Sequence, residues 1–419
     1  MNMPTSPSHG PGRVLVIGDD MRIFLTICRA LGRTGKEVHA APNDFTSPAL
    51  KSRYIHAVHR LPSHMASLEA WHAAISDLLG RMRFDLVVPC DDAAILVLDQ
   101  NRDLFGAVKV AIPDADAMEQ FFDKQATHVM CERLRVPVLR AAVFASGDTV
   151  ESLVGQYGLP LVIKPRRSVW ADSLNRRDKV EIVETEAQLR NLLANCADRN
   201  RLLVERYFEG AGVGVSVLAH DGKILQAFQH RRLREGKGGC SSYRISEPVD
   251  PQLRMACASI CADTSHTGVC MFEFRCNRNN GDWVLLETNA RFWGSMPLPI
   301  ALGVNFPALL FELLVLGKNY PEQGYPIGIR SRNLVLDGYN LFKRLGESSL
   351  GDLPHLLASA GDFLTQPVRW LTGGELSDSF VADDPWPGLA ECAALPAALW
   401  RKARTGSPRR PGAQKVTIP

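Results

Sequence analysis

Three polar residues fall at alternate positions in the segment DWVLLETNARFWGS: Glu287, Asn289 and Arg291. Residues two apart on a strand share a face, so these three project together while Leu286 and Thr288 project the other way. A strand packed on a core would fill that face with apolar groups. A carboxylate and an amide oxygen are hard ligands suited to Mg²⁺, and the guanidinium fork of Arg291 matches phosphate oxygens. The stripe reads as a site for a cation and an anion together.

The preceding strand holds a second acid, Glu273, between Phe272 and Phe274, where a carboxylate needs a partner. Cross-strand neighbours share a face, so Glu273 opposes Glu287 only in one register. A two-residue turn at Asn280-Gly281 would put the acids on opposite faces. A shared metal therefore predicts an odd-length loop or a bulge between Cys276 and Trp283. Without the metal, two facing carboxylates would repel and one would keep its proton. Lys164 ends the apolar run LVIKP, a place for a charge when an anion lies beyond it, or for a stem that snorkels to water. Lys124 follows FFD within a predicted helix, where a surface lysine is ordinary.

These residues sit on two kinds of element. RVLVIG reads as a buried strand, Asp20 caps a helix from Met21 to Leu31, and EVHAA is the next strand. A helix over WHAAISDLLGRMR and the strand FDLVVPC complete a small open parallel sheet with helices on its faces. Ligands of such sheets lie at the carboxyl ends of the strands, here Gly18-Asp19-Asp20 and Cys90-Asp91-Asp92, although capping is the competing role for Asp19 and Asp20. No GxGxxG or GxxxxGK[ST] phosphate loop occurs. From residue 118 the pattern becomes α+β: a helix from Met118 to Leu134, a capping box at Asp148–Glu151, the strand LPLVIKP, and a second box at Thr185–Gln188. The strand RLLVERYFEG then runs into a loop. Asp221-Gly222 marks a hairpin, and the Gly/Ser-rich EGKGGCSS is a linker or a loop over a site. Beyond Tyr320 the chain reads as amphipathic helical pieces.

Composition bounds the class. The 419 residues are 46% hydrophobic and 22% charged, as in a globular protein of two or three domains. The formal charge of +3 falls to about −3 without the six bases of the tail from Arg401, so nothing marks a nucleic-acid binder. No apolar run reaches the roughly 18 residues of a membrane span, and the N-terminus lacks a signal peptide's apolar stretch, which points to the cytoplasm. The ten cysteines show no CxxC pair and no histidine at zinc-ligand spacing, so most are expected as buried, reduced thiols.

A lysine in a helix, a lysine at a strand end, Glu-Arg-Tyr at a strand-to-loop hinge, a glutamate in a strand and then Glu-x-Asn-x-Arg, in that order, resemble the ATP-grasp superfamily. FQHRRLREGKGG, SSYR, GVCMFEF and ETNARFWGSMPLPIALGVNFP resemble its carbamoyl-phosphate-synthase-like branch of predicted carboxylate-amine ligases. The resemblance covers residues 13 to about 315. It implies an α/β open parallel sheet domain (13–117) and an α+β ATP-grasp fold of two subdomains (118–204 and 205–324). A mostly helical C-terminal extension (325–403) and a disordered basic tail (404–419) would follow.

ATP would lie between the subdomains. The resemblance puts Lys124 and Lys164 on its phosphates and base, and the backbone of Glu205, Arg206 and Tyr207 on the adenine edge. Glu273, Glu287 and Asn289 would hold Mg²⁺, or Mn²⁺ in its place, and Arg291 would act on the γ-phosphoryl group. Two stretches depart from the family pattern. RRSVWADSLNRRD has no glycine for a phosphate loop, leaving Ser168 as its best contact, and GAGVGVS has no acid for the ribose, leaving Glu209. Alternation in HRRLRE sends His230, Arg232 and Arg234 to one face. The resemblance assigns the substrate anion to an arginine of this run or to Arg244, with Arg232 joining Arg291 in catalysis and Asp92 among the substrate contacts. EGKGGCSS would close over the reaction. The implied activity is an ATP-dependent ligation of a small carboxylate to an amine through an acyl phosphate, by a monomer or a homodimer. The same residues would serve a carboxylase, a phosphoryl transferase, or a nucleotide-binding regulator without turnover.

Overall fold

The computed structural model describes residues 12–64, 66–145, 147–174, 180–196, 198–235, 241–347, 361–363 and 365–393. The basic tail, the centre of EGKGGCSS (236–240) and part of the RRSVWADSLNRRD stretch (175–179) lie outside them. Three sheets organise the rest.

The first contains β1 (Arg13–Ile17), β2 (Glu37–Ala41), β3 (Ala57–Val58), β4 (Leu86–Pro89) and β5 (Lys109–Val110), all parallel, in the order β3-β2-β1-β4-β5. The Asp20 carboxylate accepts the amides of Arg22 and Ile23 and starts the helix Met21–Gly32, as its position predicts. The other acids at the strand ends tie loops together. Asp19 accepts the amides of Asn43 and Asp44, while Asp91 accepts that of Asp19 at 2.7 Å and caps the helix Asp92–Asp99.

The second sheet contains β6 (Ala141–Val143), β7 (Leu161–Pro165), β8 (Glu181–Val183) and β9 (Leu202–Arg206), in the antiparallel order β6-β9-β7-β8. The third contains β10 (Ala211–His220), β11 (Lys223–Glu235), β12 (Ser241–Glu247), β13 (Gly268–Cys276), β14 (Trp283–Asn289), β15 (Arg330–Arg332) and β16 (Glu375–Ser377). Its order is β14-β13-β10-β11-β12-β15-β16. The β10–β11 hairpin turns at Asp221 and Gly222, both at positive φ as a tight primed turn requires.

Three local expectations change. The predicted helix over 118–134 is two helices, Ala115–Phe122 and Lys124–Arg133. They break at Asp123, whose fully buried carboxylate caps the second helix and binds Arg166 and Arg167. Lys124 is thereby fixed at a helix start. The first capping box is shifted by one residue, to Thr149 and Ser152, because Asp148 is taken up by the amide of Ala145; the box at Thr185 and Gln188 forms as expected. The C-terminal segment has helices Leu334–Glu347 and Gln366–Leu371, yet it also contributes β15 and β16 to the large sheet.

One apolar core joins the parallel sheet to the large one, with Val14, Val16 and Phe24 packed in a cluster with Phe292, Trp293, Phe306 and Phe311. It presses the carboxyl ends of the parallel strands against the end of β14. The nine described cysteines are free, and burial pushes the Cys131 and Cys261 thiols up to about 12. No helix among the described residues is long and apolar enough to cross a membrane.

Candidate active site

The register of β13 and β14 decides the site. Glu273 stands directly opposite Glu287, while Phe274 pairs with Leu285, so Leu286 is bulged out. The loop from Asn277 to Asp282 is even in length, and the required irregularity lies inside β14 instead of between Cys276 and Trp283. The extra residue turns Glu287 onto the face of Glu273. Each acid is matched by its own base: Arg232 pairs with Glu273, and the Lys124 Nζ lies 3.4 Å from Oε1 of Glu287. The Asn289 amide nitrogen is 3.5 Å from Oε1 of Glu273.

Arg232 belongs to β11 and Glu273 to β13, with β10 between them. Two glycines make that crossing possible. A Cβ at Gly212 would come within 2.8 Å of Cδ of Arg232 and 2.1 Å of a Glu235 oxygen, and one at Gly214 would strike the His230 ring at 2.3 Å. The glycines of GAGVGVS, read above only for the acid they lack, open a lane over β10 for long side chains.

The opposite wall comes from the four-stranded sheet. Lys164 on β7 is buried, pairs with the Glu205 carboxylate on β9, and donates at 3.3 Å to the carbonyl of Leu286, the bulged residue itself. The bulge thus serves twice, orienting Glu287 and docking Lys164. Lys124, Lys164, Glu205 and Glu287 line one cleft together with the apolar side chains of Val138, Leu139, Leu203 and Leu285. Leu285 donates its amide to the Pro137 carbonyl at 2.8 Å and bridges to Val138. Ser168 lies at the rim, its Oγ 3.5 Å from the Lys124 Nζ. Arg206, Tyr207 and Glu209 are exposed on the short connection from β9 to β10.

Arg291 meets the parallel sheet. Its guanidinium pairs with Asp92 in the first turn of the helix Asp92–Asp99, and its Nη1 donates to the Phe292 carbonyl. Burial works against the charged form, but Asp92, Glu287 and Asp20 outweigh it and hold Arg291 firmly protonated. Two other arginines do not reach the cleft. Arg234 pairs with Asp337 and Asp362, and the fully buried Arg244 pairs with Asp378 at 2.6 Å. Acids of the C-terminal segment have claimed both, which corrects their reading as substrate clamps. A register shift between Arg232 and Arg234 also breaks their alternation, pairing Arg232 with Arg244 but Arg234 with Tyr243.

Residues 198–331 match the profile of the family described as ATP-grasp in the biosynthetic pathway with Ter operon. Over 99 residues the chain is 27% identical to the carbamoyl phosphate synthase large chain of Thermus thermophilus, a stretch that is 23% of this chain and 9% of that protein. Among solved structures, it is similar to the biotin carboxylase domain of Hydrogenobacter thermophilus 2-oxoglutarate carboxylase, which was crystallised with MgADP and bicarbonate. The TM-score is 0.57 at 16% identity, over 76% of this chain and 73% of that one. The L-amino acid ligase of Bacillus licheniformis gives 0.55 at 16% identity over 75% and 76%. The N5-carboxyaminoimidazole ribonucleotide synthetase of Thermotoga maritima gives 0.53 at 16% over 76% and 79%. At these identities the structural likeness is one of fold. Residues 198–331 thus match an ATP-grasp family, and the structural likeness extends a similar fold over about three quarters of the chain.

Proposed function

We propose that the protein is an ATP-dependent ligase that joins a small carboxylate to an amine. The carboxylate oxygen takes the γ-phosphoryl group and releases ADP; the amine then attacks the acyl carbon, an amide bond forms, and phosphate leaves with its oxygen. The observation that carries this reading is the bulge at Leu286, which sets Glu273 and Glu287 face to face and docks Lys164 at the same point.

Phosphoryl transfer asks a protein mainly for position and charge. The apolar walls of Val138, Leu139, Leu203 and Leu285 suit a flat base, with the backbone of Glu205, Arg206 and Tyr207 beside it and Glu209 near the ribose. Lys124, Lys164 and Ser168 suit the phosphates. Two carboxylates and the Asn289 amide on one face form a hard oxygen donor set, the right chemistry for Mg²⁺ or Mn²⁺, which would supply charge neutralisation between phosphate oxygens. Arg291, kept charged by Asp92, is the group to meet the transferred phosphoryl oxygens, and Asp92 brings the parallel sheet into the same site. Arg232, paired with Glu273 on the acidic face, would steer a substrate carboxylate to the site.

The likeness to an L-amino acid ligase and to carboxylases is compatible with this chemistry and also with bicarbonate as the acceptor. A screen for ADP release over pairs of carboxylic acids and amines, with product detection by mass spectrometry, separates the two. Amide products dependent on Glu287 support the ligase. Tight ATP binding without turnover on any pair, or carboxylated products alone, would reject it.

A further inference from the structure

Remote from the cleft, on the outer strands of the parallel sheet, three imidazoles and a carboxylate gather. Glu37 and His39 are two residues apart on β2 and share a face. His56, just before β3, reaches the same carboxylate. Oε1 of Glu37 lies 3.0 Å from Nε2 of His39 and 3.4 Å from Nε2 of His56, and the three ligand atoms are within 4.8 Å of one another. Ligands on zinc at its usual bond lengths, in tetrahedral geometry, stand about 3.3 Å apart, so these contacts have the span of coordination edges.

The surroundings match a metal centre in three further ways. Oε2 of Glu37 is held by Arg13 at 3.1 Å, which fixes the carboxylate and directs Oε1 to the histidines. Nδ1 of His39 lies 2.7 Å from Nε2 of His59, the outer contact that orients a metal-binding imidazole. His39 is buried and His56 is 62% exposed, so one ligand is anchored and the remaining coordination position opens to solvent.

We propose that Glu37, His39 and His56 bind one divalent cation of the zinc class, with His59 as a positioning residue and water completing the shell. Two imidazoles and one carboxylate favour zinc over magnesium, whose preferred ligands are oxygens. The ion would fasten the two-residue edge strand β3 to β2. Histidine spacing along the chain could not reveal the site, because its ligands come from separate strands and meet only through their pairing.

The test uses the full-length chain with zinc chloride and a chelating indicator, in excess magnesium. Glu287→Gln serves as background control, since its cleft could hold zinc as well. Wild type and Glu287→Gln should each bind one equivalent that His56→Ala loses, and zinc should raise the unfolding midpoint of the first two only. His59→Ala should bind on the order of 10–100-fold more weakly, as loss of an outer contact does. His56 is exposed, so its replacement should leave the fold intact by circular dichroism. Cobalt substitution should give tetrahedral absorption without a thiolate charge-transfer band. Equal zinc stoichiometry in wild type and His56→Ala, no binding by either, or a thiolate band would overturn the proposal. The cluster would then be a hydrogen-bonded network only.

Discussion

Arg232 and Arg234 stand on the same strand, two residues apart, and end in different surroundings. Arg232 looks toward the β13–β14 edge of the large sheet, where Glu273 and Glu287 remain 21% and 31% exposed and face each other across a strand pair. Arg234 looks toward the β15–β16 edge, where Arg332, Asp337 and Glu375 are sealed from solvent. At the closed edge Arg234, Arg332 and Arg369 are each packed against an acid, and Arg332 also lies 4.0 Å above the Tyr243 ring. At the open edge two acids share one face, an arrangement that favours an added cation. The same residue types hold the fold together on one side and form the candidate site on the other. What separates them is the described part of the C-terminal segment, whose Asp337, Asp362 and Glu375 cover the β15–β16 side.

The sharpest way to break this contrast is at the closed edge. Arg332→Ala should cost about 3–5 kcal/mol in urea unfolding, because Asp337 and Glu375 would remain buried with one of their two arginine partners lost. A loss below about 1 kcal/mol would mean that this edge is hydrated. At the open edge, Glu287→Gln should lower kcat by on the order of 10²-fold or more, the scale of a lost preorganised charge contact, while the unfolding free energy stays within about 1 kcal/mol of wild type. Full activity in that variant would separate the acidic face from the chemistry.

His230 lies between the two edges, fully buried, and burial together with Arg244 and Arg232 holds its ring well below the ordinary imidazole value. The unfolded chain takes up this proton more readily than the native one. The stabilising effect is therefore complete above pH of about 6.5 and declines as pH falls below it, by about 1.4 kcal/mol per unit while one proton separates the states. His230→Gln should flatten that acid slope in denaturation curves recorded from pH 7 to 5. An unchanged slope would assign it to other buried histidines. The smallest effect belongs to a pair outside both edges. Arg254→Ala, which removes a solvent-exposed pair with Glu322, should change stability by less than about 1 kcal/mol.

Much of this was legible in the residues. Alternation marked Glu287, Asn289 and Arg291 as one stripe, and the apolar run before Lys164 marked a lysine that the fold buries and pairs with Glu205. The departures at Leu286 and Leu233 are one-residue slips of register. At Leu286 the slip was required by the facing acids but could not be located, and at Leu233 nothing announced it. Arg234 and Arg244 were misread because their partners, Asp337 and Asp378, lie 103 and 134 residues further along the chain. Local pattern says which residues share a face, but not what later segment covers it. Asp123 broke a helix for a similar reason, since burial beneath Arg166 and Arg167 outweighs the helical periodicity around it.

The pairing of β15 with β12 has a bearing on how this chain can be divided. Removing everything after residue 324 would strip the neighbour from β12 and leave a row of unsatisfied amides and carbonyls beside two arginines, Arg234 and Arg244, deprived of their counter-ions. Such a fragment would be a template for sticking to other copies of itself. A fragment meant to keep these pairs must therefore reach past β16, well beyond the last residue that touches the cleft.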